Sequence, residues 1–137
     1  MNFNATYKLI LIGNSGVGKS SIIKRIGGSN TFKDGHDVTI GAEFTTIATK
    51  INKKTNLKLQ FWDSCGQERY NSITRLFYRG SSCVVLVYDV TKLESLRNLE
   101  VIWINDLKES LRDAILILVG NKADIDGDYQ MTREVSY

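Results

Sequence analysis

Tyr7-Lys8-Leu9-Ile10-Leu11-Ile12 runs directly into Gly13-Asn14-Ser15-Gly16-Val17-Gly18-Lys19-Ser20, and this junction decides the fold. The first six residues are short, apolar and stopped by glycine, which predicts a buried strand. Beyond the loop, Ile22, Ile23 and Ile26 recur at helical spacing until Gly27-Gly28 ends the run, predicting a helix over Lys19–Ile26. Between strand and helix lies a complete G-x-x-x-x-G-K-S loop. Its glycines let backbone amides turn inward around a di- or triphosphate, and the helix N-terminus adds positive potential. Lys19 is placed to reach the β- and γ-phosphates and the Ser20 hydroxyl to ligate Mg²⁺. The nucleotide-contacting set from this region is Gly13, Ser15, Gly16, Val17, Gly18, Lys19, Ser20 and Ser21.

Outward from the loop, strand and helix alternate. Ala42–Ile51 is rich in Thr, Ile and Phe, a polar stretch follows at Asn52–Asn56, and then Leu57, Leu59 and Phe61 alternate with Lys58, Gln60 and Trp62. That pair predicts a hairpin with one buried face. Cys83–Tyr88 and Ile115–Val119 are apolar throughout, as suits parallel strands covered by helices on both sides. Between them runs a helical stripe of Leu96, Leu99, Trp103, Leu107 and Leu111, opened by Thr91-Lys92-Leu93-Glu94 in the form of a capping box. The expected class is a doubly wound α/β sandwich with one antiparallel hairpin strand. Ligands in that class sit beyond the carboxyl ends of the strands.

Composition sets the limits. The chain has 137 residues, 42% hydrophobic and 24% charged, with a net charge of +3. One domain over 1–137 is expected. The apolar content is too high for disorder, and no apolar run approaches the ~20 residues that span a bilayer. Met1–Thr6 has no signal-peptide pattern and Asn2 excludes myristoylation. Two cysteines, Cys65 and Cys83, fit a reducing, cytoplasmic compartment. The mild positive charge gives no reason to expect a nucleic-acid partner.

The segments after the later strands carry further chemistry. Asp63, ending the hairpin, is placed to hold Mg²⁺ or, equally in type, to cap a helix. Gly66 would let its amide approach a γ-phosphate, and Gln67 is positioned to orient an attacking water. Gly120-Asn121-Lys122-Ala123-Asp124 follows the last apolar strand. There the Asp124 carboxylate can accept from the guanine N1–H and N2–H₂, a donor pair that adenine lacks. Asn121 can bridge base and phosphate loop, and the Lys122 stem can cover one face of the ring. Thr39 offers a hydroxyl to complete the Mg²⁺ shell, or is simply a strand-start threonine.

In order and at suitable spacing, these residues resemble the Ras superfamily of small GTPases. The Rab family is matched by Thr39-Ile40-Gly41-Ala42-Glu43-Phe44, Lys58–Asp63, Gln67–Tyr70, Phe77–Gly80 and Leu86–Thr91. The resemblance runs from about Tyr7 to the chain end. It implies a P-loop NTPase three-layer sandwich with a mostly parallel sheet, cycling between GTP- and GDP-bound states with Mg²⁺. It further implies Phe32 packed on the guanine, and an exposed region around Ile40, Phe44, Trp62, Phe77 or Tyr78 read by effectors. Exchange factors and GTPase-activating proteins are the expected regulators, with slow intrinsic hydrolysis accelerated roughly 10³–10⁵-fold by a supplied arginine. The implied role is regulation of vesicle traffic, peripheral to an endomembrane surface.

The sequence departs from the family pattern in two places. Ser64 and Cys65 stand where the family has Thr and Ala. Thr132–Tyr137 has the form of a helix start, after which a helix, strand and helix of the family pattern are missing, along with the cysteine of a lipid anchor. Two alternatives follow. A degenerate fragment acting as an interaction module would bind nucleotide weakly. An ATP-using P-loop enzyme is disfavoured by Asn121–Asp124.

Overall fold

Six strands form a single sheet in the order β2-β3-β4-β1-β5-β6, seen in a computed structural model that describes residues 2–28, 35–37, 42–64, 77–125 and 127. The strands are β1 (Ala5–Ile12), β2 (Gly35–Asp37), β3 (Ala42–Asn52), β4 (Thr55–Asp63), β5 (Cys83–Asp89) and β6 (Ile115–Asn121). β1 is parallel to both β4 and β5, and β5 is parallel to β6. β3 runs antiparallel to β4 and to β2. The expected mostly parallel sheet with one antiparallel hairpin strand is what forms. The three-residue β2, pairing Gly35–Asp37 with Ala42–Phe44, carries no apolar pattern by which a sequence reading would find it.

The junction that decided the fold sits at the centre of the sheet. Side chains on β1 alternate between faces, as the pleat requires. Ile10 and Ile12 join a cluster with Trp62, Phe77, Tyr78, Leu99, Trp103 and Leu107. Leu9 and Leu11 join another with Ile23, Ile47, Phe61 and Val87. The second cluster is covered by α1 (Lys19–Gly27), whose end is set as expected: Gly28 takes a positive φ of 46° and donates its amide to Lys24. The first is covered by α2 (Leu93–Asn98) and α3 (Asn105–Ser110), joined by a π-helical turn over Leu99–Ile104. Helix, sheet and helix make the three layers.

Three local expectations need correction. The capping box does not form: Lys92 is the N-cap of α2 and makes no side-chain cap. Thr91 instead spends its amide and hydroxyl on Asp89 Oδ1, at 2.9 and 2.5 Å. The stripe Leu96, Leu99, Trp103 and Leu107 is buried as predicted, with Leu111 partly buried against it, and Val101 and Ile102 lie exposed outside it. The hairpin shows no alternating burial; β4 is half-buried from Thr55 to Gln60 and buried from Phe61 to Asp63. Its long polar side chains lie along apolar surface, with Lys58 Nζ 5.0 Å from the Phe3 ring centre. Finally, Trp62, Phe77 and Tyr78 are core residues, not an exposed surface. They lie on the sheet face that α2 and α3 cover, so the aromatic bulk is drawn inward.

β6 occupies one edge of the sheet. Ile115, Leu116, Ile117 and Leu118 are each 44–65% exposed, so the expected cover on both faces is not found among the described residues.

Candidate functional site

The carboxyl ends of β1, β4, β5 and β6 lie at one end of the sheet, where an α/β fold places ligands. The Gly13–Ser20 loop is built by backbone conformations that side chains resist. Gly16 and Gly18 adopt φ of 82° and 102°, in the left-handed region where a Cβ is disfavoured. Close approach adds a second constraint. A Cβ on Gly13 would meet the Val87 carbonyl oxygen at 2.1 Å, and one on Gly18 would meet Asn121 Nδ2 at 2.2 Å.

Lys19 is buried, 6% exposed, and its ammonium curls back to donate to the Gly13 carbonyl at 2.5 Å. The cation therefore sits over the loop instead of extending into solvent. Gly18 caps α1 without a side-chain hydrogen bond, and the first turn holds no acidic residue. Its amides keep the partial positive charge of a helix start for an incoming anion. Val17 is buried and anchors the loop in the core, whereas Ser15, Gly16 and Ser21 are exposed.

Ser20 Oγ donates to Asp63 Oδ2, uniting two of the three residues expected at the metal. Both donors are oxygens, the ligand type that Mg²⁺ prefers, and the pair stands beside the phosphate loop. These residues fit the ion. Thr39, the third, lies outside the described residues, as do Phe32, Gly66, Gln67, Ile40 and Cys65. No group of three or more His, Cys, Asp or Glu that could hold a metal occurs among the described residues.

The third loop is tied to the first. Asn121 Nδ2 donates to the Val17 carbonyl at 2.8 Å, and Lys122 Nζ donates to the Gly16 carbonyl at 2.6 Å. Lys122 has φ of 67°, a strained conformation for a residue with a side chain. The chain turns there, closed by the Ile125 amide on the Lys122 carbonyl at 3.1 Å, and Asp124 lies exposed in that turn.

One participant escaped the sequence reading. Asp89, 1% exposed at the end of β5, forms an ion pair with Lys122 at 3.0 Å. Burial pushes its carboxyl up, but hydrogen bonds from Thr91 and the Lys122 ammonium outweigh this and leave it below the usual aspartate value. No sequence signal marked it: only the β5–β6 register, which sets Asp89 opposite Asn121, brings it beside the Asn-Lys turn.

Comparison with known proteins agrees with this geometry. The family model described as Ras family matches residues 8–137. The Ras-related protein RabC of Dictyostelium discoideum is 47% identical over 131 residues, covering 93% of this chain and 65% of the relative. Rab-2B of the same organism is 39% identical, with 96% and 64% covered. The GTP-binding protein ypt5 of Schizosaccharomyces pombe is 42% identical, with 86% and 56% covered. The chain thus spans between half and two thirds of the length of these relatives.

Proposed function

The chain belongs to the Ras family, and from that premise we propose that it is a GTP-binding switch with slow GTP hydrolysis, a Rab-like regulator of vesicle traffic acting through nucleotide-dependent effector binding. The observation that carries this reading is the double tie of Asn121 and Lys122 to the carbonyls of Val17 and Gly16. It fixes a base-reading turn at a set distance from a phosphate-binding loop, which is what recognition of a whole nucleotide requires. The domain proposed to do this is single and extends over 1–137.

In this reading the amides of Gly13, Ser15, Gly16, Val17 and Gly18 wrap the phosphates, with Ser20 and Ser21 beginning the helix behind them. Lys19 exchanges its hold on the Gly13 carbonyl for the β- and γ-phosphate oxygens. Asp124 accepts from the guanine N1–H and N2–H₂, the Lys122 stem covers one ring face and Phe32 packs near the base. Ser20, Asp63 and Thr39 would hold Mg²⁺, which supplies charge neutralisation at the phosphate oxygens. Gly66 donates its amide to the γ-phosphate. Gln67 orients the attacking water, and loss of the γ-phosphate releases the Thr39 and Gly66 segments. Effectors, exchange factors and GTPase-activating proteins are the proposed partners. The proposed location is cytoplasmic and peripheral to an endomembrane; no helix among the described residues is long and apolar enough to cross a membrane.

A second reading, an interaction module with weak nucleotide binding, draws on the exposed apolar side chains of β6. One thermal-melting series separates the two. GTP with Mg²⁺ at about 100 times its dissociation constant stabilises a specific binder by about 2.7 kcal/mol. The switch predicts that shift with GTP and none with ATP at the same concentration; equal melting in both sinks it. Gln67→Leu should keep the shift and lose hydrolysis in a single-turnover assay, whereas hydrolysis at the wild-type rate removes Gln67 from its proposed role.

A further inference from the structure

The two carboxylate oxygens of Asp89 have different partners. Oδ1 takes both donors of Thr91, the amide at 2.9 Å and the hydroxyl at 2.5 Å. Oδ2 is thereby left to the Lys122 ammonium at 3.0 Å. The backbone of Asp89 is held as firmly. Its amide donates to the Ser95 hydroxyl at 3.0 Å, which donates in turn to the Lys92 carbonyl at 2.6 Å. Its carbonyl accepts from the Lys92 amide at 2.9 Å. Asp89 and Ser95 are both buried, where such bonds are electrostatically stronger than in water. The start of α2 thus fixes a buried carboxylate in one orientation, with one oxygen committed to Lys122.

We propose that Asp89 is a positioning residue that, through Lys122, sets how long a guanine nucleotide stays bound. The inference rests on the nucleotide-binding reading above. Lys122 leaves β6 with φ of 67°, a conformation that a residue with a side chain keeps only where its surroundings hold it. Its ammonium is held at two points, Asp89 Oδ2 and the Gly16 carbonyl. The stem therefore follows one path from β6 to the phosphate loop, and in the proposed reading it is the wall against which one face of the base lies. Of the two anchors, Asp89 supplies the charge. A bond between two ions is about twice as strong as a neutral one. The Gly16 carbonyl alone would leave the ammonium free to turn toward solvent, to which the Lys122 side chain is 30% exposed. Asn121 keeps its own bond to the Val17 carbonyl, so loss of the acid loosens the wall and spares the tie between the two loops.

The test follows binding and release of GDP carrying a fluorescent ribose label, with urea melts to establish that each variant folds. Asp89→Asn keeps an oxygen for Thr91 but turns an amide donor toward the ammonium. Release should quicken about tenfold, with association within about twofold of wild type. Thr91→Val, at an exposed position, removes one of the bonds that orient the carboxylate and should quicken release about threefold. A double-mutant cycle separates positioning from a general loosening of the fold: in a Lys122→Met background neither change should quicken release further. Wild-type release in Asp89→Asn overturns the role. Equal quickening with and without Lys122 overturns it too, since Asp89 would then act on the fold and not through the lysine. Should Asp89→Asn fail to fold, the same outcomes are read from Thr91→Val. A wild-type chain that binds no labelled GDP overturns the nucleotide reading, and this role with it.

Discussion

Lys122 and Asp89 are joined by a 3.0 Å ion pair whose cation also reaches the Gly16 carbonyl, so β5, β6 and the phosphate loop meet at one ammonium. The acid is buried and the base is partly exposed. Burial raises the Asp89 carboxyl, and the Thr91 and Lys122 contacts lower it further than burial lifts it. A folded-state pKa below the unfolded one gives stability that is present above the unfolded value of about 3.9 and lost as pH falls through the folded value. Asp89→Asn keeps an acceptor for Thr91 and removes the charge. It should cost about 1 kcal/mol at neutral pH, discounted for solvent around Lys122, and progressively less as pH falls below the unfolded value toward the folded one. Urea melts at a series of pH values from neutral downward check this; a loss that does not change with pH sets the charge aside.

Gly18 and Gly16 make a matched pair of tests. Both have positive φ, but a Cβ on Gly18 meets Asn121 Nδ2 at 2.2 Å and one on Gly16 meets nothing within 4 Å. Gly16→Ala should therefore incur only the backbone term, about 1 kcal/mol. Gly18→Ala must also push the Asn121 side chain off Val17, and should weaken GDP binding about tenfold more than Gly16→Ala. Calorimetric titration of the two variants settles the order, and equal losses contradict the close approach.

Asp124 carries the base assignment. Asp124→Asn replaces an acceptor pair with one acceptor and one donor, matching the xanthine edge better than the guanine edge. Preference should move from GTP toward xanthosine triphosphate by at least about tenfold. Competition binding measures it directly, and an unmoved preference leaves Asp124 without its role.

The buried stripe separates packing from surface. Leu99→Ala, at 1% exposure, should lower stability by about 2–5 kcal/mol through lost burial and the cavity left behind. Val101→Ala, two residues on and 74% exposed, should change it by no more than about 0.5 kcal/mol. Denaturant midpoints for the pair check whether the π-helical turn orients the helix as described.

Most of the sheet and the geometry of its loops were legible because they depend on local pattern. An apolar run stopped by glycine, followed by G-x-x-x-x-G-K-S, reads as a strand feeding a glycine-shaped turn into a helix, and that is what forms; the partner motifs sit at the ends of their own strands. What stayed hidden was set by tertiary context. Thr91 looked like a cap until Asp89, buried beside it, took both of its donors. Lys8 sits in a strand pattern and gives no hint of the two rings it meets, those of Trp62 and Phe77. Trp62, Phe77 and Tyr78 match an effector surface in sequence, yet α2 and α3 supply a core for them. Asp89 was missed because its partner lies on a neighbouring strand, brought opposite only by register.

The hydrogen bonds that complete the site join residues 104 and 106 positions apart. During synthesis the glycine loop leaves the ribosome about a hundred residues ahead of Asn121 and Lys122, which brace it. Closing a loop of that length is a late, entropically costly event, so the newborn chain passes through a stage in which the glycine loop lacks its Asn121–Lys122 brace. On the proposed function, a nucleotide that binds both halves at once rewards only the finished arrangement, and its concentration would then bear on how many nascent chains reach maturity.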